Sequence, residues 1–237
     1  MKHYSNRVSQ SEAWTGVADC RNCAIRNSAL FAGLDEAAFD TIHRPIDQIS
    51  YRPGAQIYAQ DDDASSIMTI RTGLVKLTQY LPDGNQRIVR LLCSTDIVGL
   101  EAMVAPRYEH TAVALHATQL CRIPVDTVRE LSVARPQLCQ DLMARWHLAL
   151  NDADRWITEF CTGPARSRVA RLLKWLAERN GGLNCELFSR EDLGALLGLT
   201  TETSSRIIAE FKRQGLITES RTNVFTCDLQ RLDAIYS

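Results

Sequence analysis

Ser189-Arg190-Glu191-Asp192-Leu193-Gly194-Ala195-Leu196-Leu197-Gly198-Leu199-Thr200-Thr201-Glu202-Thr203-Ser204-Ser205-Arg206-Ile207-Ile208-Ala209-Glu210-Phe211 opens with a helix-start signal and contains a second one. Ser189 precedes Asp192 by three residues, a capping box in which the serine oxygen accepts from the Asp192 backbone N–H. The helix so opened stops at Gly198-Leu199, and Thr200 or Thr201 caps the next. That second helix runs through Ile207, Ile208 and Phe211 to Gly215, a residue suited to the left-handed position after a helix. Helix, short glycine turn, helix is a helix-turn-helix.

The composition of the second helix says what it is for. Ile207, Ile208 and Phe211 supply an inner face, while Thr201, Glu202, Thr203, Ser205 and Arg206 fall on the first turns and face outward. Hydroxyl residues are poor helix formers, so intrinsic preference does not account for three of them among these five. A helix whose N-terminal end enters the major groove needs short hydrogen-bonding side chains beside an arginine. Arg takes guanine O6 and N7 together, and Glu accepts from cytosine N4. Leu216-Ile217-Thr218 and Val224-Phe225-Thr226, on either side of Glu219 to Asn223, fit a two-stranded wing. Upstream, Val169, Leu172, Leu173 and Leu176 make Ala165 to Arg179 an amphipathic helix that ends at Asn180-Gly181-Gly182.

Further toward the N-terminus the periodicity changes twice. Cys139, Leu142, Trp146, Ala149, Ala153, Trp156 and Phe160 recur at alternating spacings of three and four, with no Gly or Pro between Pro136 and Gly163. This is a narrow seam over about three heptads. Leu142, Trp146, Ala149, Ala153, Trp156 and Phe160 are therefore expected to pair with a copy of themselves; the alternative is a long helix packed on its own domain. From Ile46 to Val125 the chain reads as short strands between turns, with Pro82-Asp83-Gly84-Asn85 as a hairpin signal and glycines at 54, 73, 84 and 99. Many short strands of that kind make a small barrel or sandwich.

The totals bound the alternatives. Of 237 residues, 45% are apolar and 23% charged, which excludes a disordered chain. No apolar run approaches the roughly 18 residues that span a bilayer, and the first ten residues are polar, so a cytoplasmic location without membrane attachment is expected. The net charge is −1, but 11 basic and 9 acidic residues fall from Thr162 onward, leaving 16 and 19 before it. Five histidines, at 3, 43, 110, 116 and 147, include no H-x-H pair, and phosphate-cradle, serine-hydrolase and zinc-protease motifs are missing. A metal-dependent barrel enzyme is the remote alternative that this disfavours.

Asp96-Ile97-Val98-Gly99, Arg122-Ile123-Pro124 and Leu193 to Thr203, together with Gly54 and Gly73, stand in an order and spacing that resembles the CRP/FNR family of dimeric bacterial transcription regulators. The similarity spans roughly residues 20 to 235. It implies an α+β fold: an N-terminal β-roll (double-stranded β-helix, cyclic-nucleotide-binding-like) sensor domain, a long dimerisation helix and a C-terminal winged helix-turn-helix. The corresponding divisions are 1–28 as an N-terminal extension with C-x-x-C, 29–133 as the sensor, 134–162 as the dimerisation helix and 163–237 as the DNA-binding domain. Glu202, Ser205 and Arg206 match the Glu-x-x-Ser-Arg signature of the FNR branch. The resemblance thereby implies palindromic DNA with TTGAT-like half-sites, a second copy of the chain and RNA polymerase as partners.

The signal is less legible. The cyclic-nucleotide branch grips its ligand phosphate with a Gly-Glu pair and an Arg-Ser pair. The matching positions here hold Gly99-Leu100 and His110-Thr111, so both charged members are missing and cyclic AMP is disfavoured. The FNR branch binds an iron–sulfur cluster through four cysteines. Cys20, Cys23 and Cys121 match three of them, and Ala29 stands at the fourth. Three readings stay open: an iron–sulfur cluster completed by another ligand, a redox-switchable Cys20/Cys23 pair, or thiols retained on a chain that senses something else. Haem, with His110 or His116 as ligand, is a further option. The remaining cysteines, at 93, 139, 161, 185 and 227, are expected to be small buried apolar groups. An effector-independent regulator controlled by abundance or by cysteine oxidation is the alternative to a ligand-controlled one.

Overall fold

Alternating short strands and turns in the first half build two facing sheets, and long periodic stretches in the second half build helices. A computed structural model describes residues 10–20, 22–25, 30 and 46–236. These fall into two compact units, 1–79 with 90–150, and 80–89 with 151–237.

The first unit begins with the short helix α1 (Gln10–Ala13) and β1 (Trp14–Val17). There follow in chain order β2 (Asp47–Tyr51), β3 (Gln56–Tyr58), β4 (Ser66–Thr72), β5 (Val75–Tyr80), β6 (Gln86–Leu92), β7 (Ile97–Val98), β8 (Thr111–Ala114) and β9 (Thr118–Pro124), of which the end of β5 and the start of β6 count with the second unit. One sheet has the order β1-β2-β9-β4-β7 and the other β3-β8-β5-β6. The centre of the first is the antiparallel pair β4–β9, registered from Ser66↔Pro124 to Ile70↔Leu120. Ile67, Ile70, Leu120 and Ile123 are at most 2% exposed there. A strand that alternates against two sheets' worth of core has no solvent face, which is why Ser66–Ile70 is buried at every position. This is the small sandwich expected from the strand pattern.

Helix α2 (Val125–Ala134) buries Val125, Val128 and Leu131 at spacings of three. It ends at Arg135, which precedes a proline and therefore leaves the helical region (φ −136°, ψ 88°). Pro136 then occupies the first position of α3 (Pro136–Arg155), where its missing N–H costs nothing. The division between the two units falls inside this helix, after Leu150. A π-helical turn, Trp156–Phe160, continues it to the break at Gly163-Pro164.

The second unit continues with α4 (Ala165–Arg179), β10 (Asn184–Glu186), α5 (Arg190–Leu197), α6 (Thr201–Arg213), β11 (Ile217–Arg221), β12 (Val224–Cys227) and α7 (Leu229–Asp233). Its sheet has the order β10-β12-β11. The wing expected from the sequence is present as β11–β12, longer on its first strand than the sequence pattern implied. The third strand, β10, carries only one buried side chain, Cys185, so it offered no alternation to detect. Val169, Leu172, Leu173, Leu193, Leu197, Phe211 and Phe225 fill the core, none more than 1% exposed.

Candidate functional site

The helix-turn-helix is locked by local chemistry. Ser189 Oγ accepts from the Asp192 N–H at 3.0 Å, and Thr200 Oγ1 accepts from the Thr203 N–H at 3.1 Å, so both N-caps form as the sequence requires. Gly198 lies in the left-handed region (φ 65°, ψ 44°), which ends α5 without strain. Gly194 is needed for a different reason: a Cβ there would stand 2.5 Å from the Leu199 carbonyl oxygen, which the turn brings across the face of α5. Arg168 Nη1 donates to the Leu197 carbonyl at 2.6 Å, tying the end of α5 to α4. Arg166 pairs with Glu210 and lies 5.4 Å from the Phe211 ring, tying α6 to the same helix.

Held in this way, α6 buries Ser204, Ile207, Ile208 and Phe211 and presents the opposite face to solvent. Thr201, Glu202, Ser205 and Arg206 are exposed, and among the described residues none of the four has a hydrogen-bond or ion-pair partner. Thr203 differs. It is half-buried, and its hydroxyl accepts from Thr200 Oγ1 at 3.0 Å, so its side chain is engaged in the cap. The result is a set of polar groups at a helix N-terminus with unused hydrogen-bonding capacity, the geometry a base-reading helix needs. Lys212 at the other end of α6 is paired with Glu219 of the wing, holding the Glu219 carboxyl below the usual carboxylate range.

The expected seam on α3 is only partly available. Leu142 is 7% exposed and turned into its own unit. Trp156 and Phe160 are 7% and 2% exposed, with ring centroids 4.1 Å apart, and Trp156 meets the edge of Trp175 of α4 at 5.4 Å. These two aromatics belong to the core of the second unit, which corrects the expectation that they face a second copy. Trp175 of α4 covers Trp156, a contact that heptad spacing cannot reveal. Exposed on α3 and the π-helical turn are Met143, Trp146, Leu148, Leu150 and Ile157, at 68%, 41%, 57%, 56% and 63%; all but Leu148 lie on a stripe displaced by one residue. With exposed Cys139 and half-buried Ala153 the stripe also alternates at spacings of four and three. Two registers share Cys139, Trp146 and Ala153, and burial chooses between them; Ala149 is half-buried on the flank.

Two family models match: a cyclic nucleotide-binding domain over residues 48–134 and a Crp-like helix-turn-helix domain over 167–235. The transcriptional activator protein FnrA of Stutzerimonas stutzeri is 29% identical over 84% of this chain and 85% of its own. Electron transport regulator A of Shewanella oneidensis is 26% identical over 97% and 95%. Among solved structures, FixK2 from Bradyrhizobium japonicum superposes with a TM-score of 0.73 at 27% identity, over 80% of this chain and 96% of that one. The chain belongs to the CRP/FNR family. It is a DNA-binding transcription regulator with a sensor domain ahead of its helix-turn-helix, of a kind that acts as a dimer, and it is not an enzyme. No helix among the described residues is long and apolar enough to cross a membrane.

In the sensor unit of this CRP/FNR regulator, Gly99 precedes a single 3-10 turn, Leu100–Met103. His110 faces Glu101, one residue beyond Leu100; Nδ1 and Oε1 are 3.9 Å apart and both side chains are 14% exposed. Burial alone would raise the Glu101 carboxyl. His110 beside it and nearby backbone N–H groups outweigh that and hold it below the usual range. Thr111 is committed to the fold: its Oγ1 accepts from the Gln60 N–H at 3.0 Å and its carbonyl from Thr78 Oγ1 at 3.2 Å. Tyr58 and Tyr108 stack 3.7 Å apart close by, and the Tyr108 hydroxyl donates to the Ser66 carbonyl.

Cys20 and Cys23 are half-buried, Cys121 of β9 is buried, and Arg71 Nη1 donates to Cys121 Sγ at 3.8 Å. Burial, reinforced by the charges of Cys121 and Cys23, pushes the Cys20 thiol up to about 11. The three thiols therefore feel one another and Arg71. Among the described residues, however, no three His, Cys, Asp or Glu side chains are close enough together to hold a metal ion. Ala29, at the position of the fourth cysteine, lies outside the described residues. This donor set does not fit a four-thiolate cluster. His116 is half-buried, on the turn between β8 and β9.

Proposed function

We propose that the chain works as a homodimer that reads a palindromic operator with TTGAT-like half-sites. Glu202, Ser205 and Arg206 contact base edges, and Thr201 and Thr203 sit at the phosphate end of the same helix. The exposed stripe Cys139, Met143, Trp146, Leu150, Ala153 and Ile157 forms the two-fold seam, placing the two reading helices on half-sites about one helical turn apart. The sensor unit receives a redox, gas or small-molecule signal, and the signal acts through its differential affinity for two arrangements of the dimer. Bound to its operator in the cytoplasm, the dimer engages RNA polymerase.

The observation that carries this reading is the unpartnered polar set on α6, rigidly presented by two satisfied N-caps. The test is fluorescence anisotropy with a palindromic TTGAT-type duplex and a scrambled duplex. Arg206→Ala is expected to lose about 1–3 kcal/mol on the palindrome and little on the scrambled duplex. An unchanged ratio between the two duplexes refutes the role of Arg206. Operator affinity indifferent to oxygen and to redox poise favours an effector-independent regulator controlled by abundance.

A further inference from the structure

Cys185 of β10 and Cys227 of β12 lie on neighbouring antiparallel strands. Cys185 pairs in register with Phe225, so Cys227, two residues on, points to the same face. Their sulfurs are 3.4 Å apart, and the residues are 0% and 2% exposed. The backbone is fastened on both sides of the pair: the Cys227 N–H donates to the Leu183 carbonyl and the Leu187 N–H to the Asn223 carbonyl, each at 2.8 Å. Two thiols fixed in direct contact inside a small sheet are more than space-filling apolar groups.

We propose that Cys185 and Cys227 are a reversible oxidation site of the DNA-binding unit, which a peroxide converts to a disulfide joining β10 to β12. The crosslink would close a loop holding α5, α6 and β11, that is, both helices of the reading motif and one strand of the wing. Either sulfur of the pair can donate to the other and either can attack first, Cys227 for example. Its thiolate attacks one peroxide oxygen; the O–O bond breaks, hydroxide leaves, and a sulfenic acid remains. The Cys185 sulfur then attacks the Cys227 sulfur, the S–O bond breaks, and the departing oxygen takes the Cys185 proton away as water. Two thiols and one peroxide give one disulfide and two waters, and a dithiol reductant reverses the change. Access is through fraying of β10, a three-residue strand at the sheet edge with Leu183 54% exposed beside it.

Trypsin separates the two cysteines, because Asn180–Arg190 and Thr222–Arg231 each contain one. The full chain, reduced and then treated with hydrogen peroxide, alkylated and digested, is expected to yield these two peptides joined, two hydrogens lighter than their sum, and to lose the joined species after dithiothreitol. The oxidised chain should melt about 10 °C or more above the reduced chain, because the bond closes a loop of some forty residues. Recovery of both peptides alkylated, while other cysteines are oxidised, overturns the proposal. So does a peroxide-induced rise in melting temperature that persists in Cys185→Ala. If that variant does not fold, the peptide map of the unsubstituted chain decides alone.

Discussion

Trp156 and Ile157 are adjacent, and the structure gives them opposite tasks. Ile157 is 63% exposed in the single chain, on the stripe assigned to the seam. Burying an isoleucine side chain completely is worth about 1.5–3 kcal/mol, so covering the exposed two-thirds contributes about 1–2 kcal/mol per chain. A two-fold interface uses the residue twice, giving about 2–4 kcal/mol per dimer. Ile157→Ser should therefore raise the dimer dissociation constant from about 30-fold to several hundredfold, while the melting of the second unit changes little. Trp156→Ala should do the reverse. It removes a buried ring that lies tilted against Phe160 and meets Trp175, at a cost of about 3–5 kcal/mol to folding. Sedimentation equilibrium across a dilution series measures the first effect and urea unfolding the second. If Ile157→Ser dimerises within threefold of the parent chain, the displaced stripe is not the seam.

Three further outcomes follow from particular contacts. Gly194→Ala should destabilise the second unit by about 1–3 kcal/mol in thermal melts despite alanine's better helix preference, because the new Cβ meets the Leu199 carbonyl and not a movable side chain. Glu101 has a carboxyl held below its ordinary value of 4.5, so it stabilises the folded sensor above that pH and the contribution is lost as the pH falls through the lower folded value. Glu101→Gln should flatten this acid limb in urea midpoints measured between about pH 6 and pH 3.5, and an unchanged slope would remove the pair from the explanation. Chain purified without oxygen should lack the broad visible shoulder of a four-thiolate iron–sulfur cluster. Finding that shoulder would show that a further ligand completes the set.

Much of the reading site was legible because its code is local. The Ser189 and Thr200 caps, the glycine turn and the outward Glu202, Ser205 and Arg206 are fixed by residues three or four apart, and the structure places all of them where short-range rules require. Thr203 alone moved, from open face to cap, because one hydroxyl can serve either and the nearer partner won. The sensor site was less legible: Glu101, not Leu100, meets His110, because which residue of a 3-10 turn does so depends on a segment that arrives nine residues later.

Sequence by itself determined where the two helices of the reading motif begin, what family the chain resembles and which face of α6 is free, since caps, periodicity and turn residues act within a few positions. Tertiary structure decided which of two equally regular heptad registers on α3 is exposed, because Trp175, nineteen residues beyond Trp156, covers one of them. It also brought Cys185 against Cys227 across a sheet whose first strand has no pattern of its own. Burial is a property of what the chain packs against, and spacing along one element cannot reveal the neighbour that arrives from elsewhere.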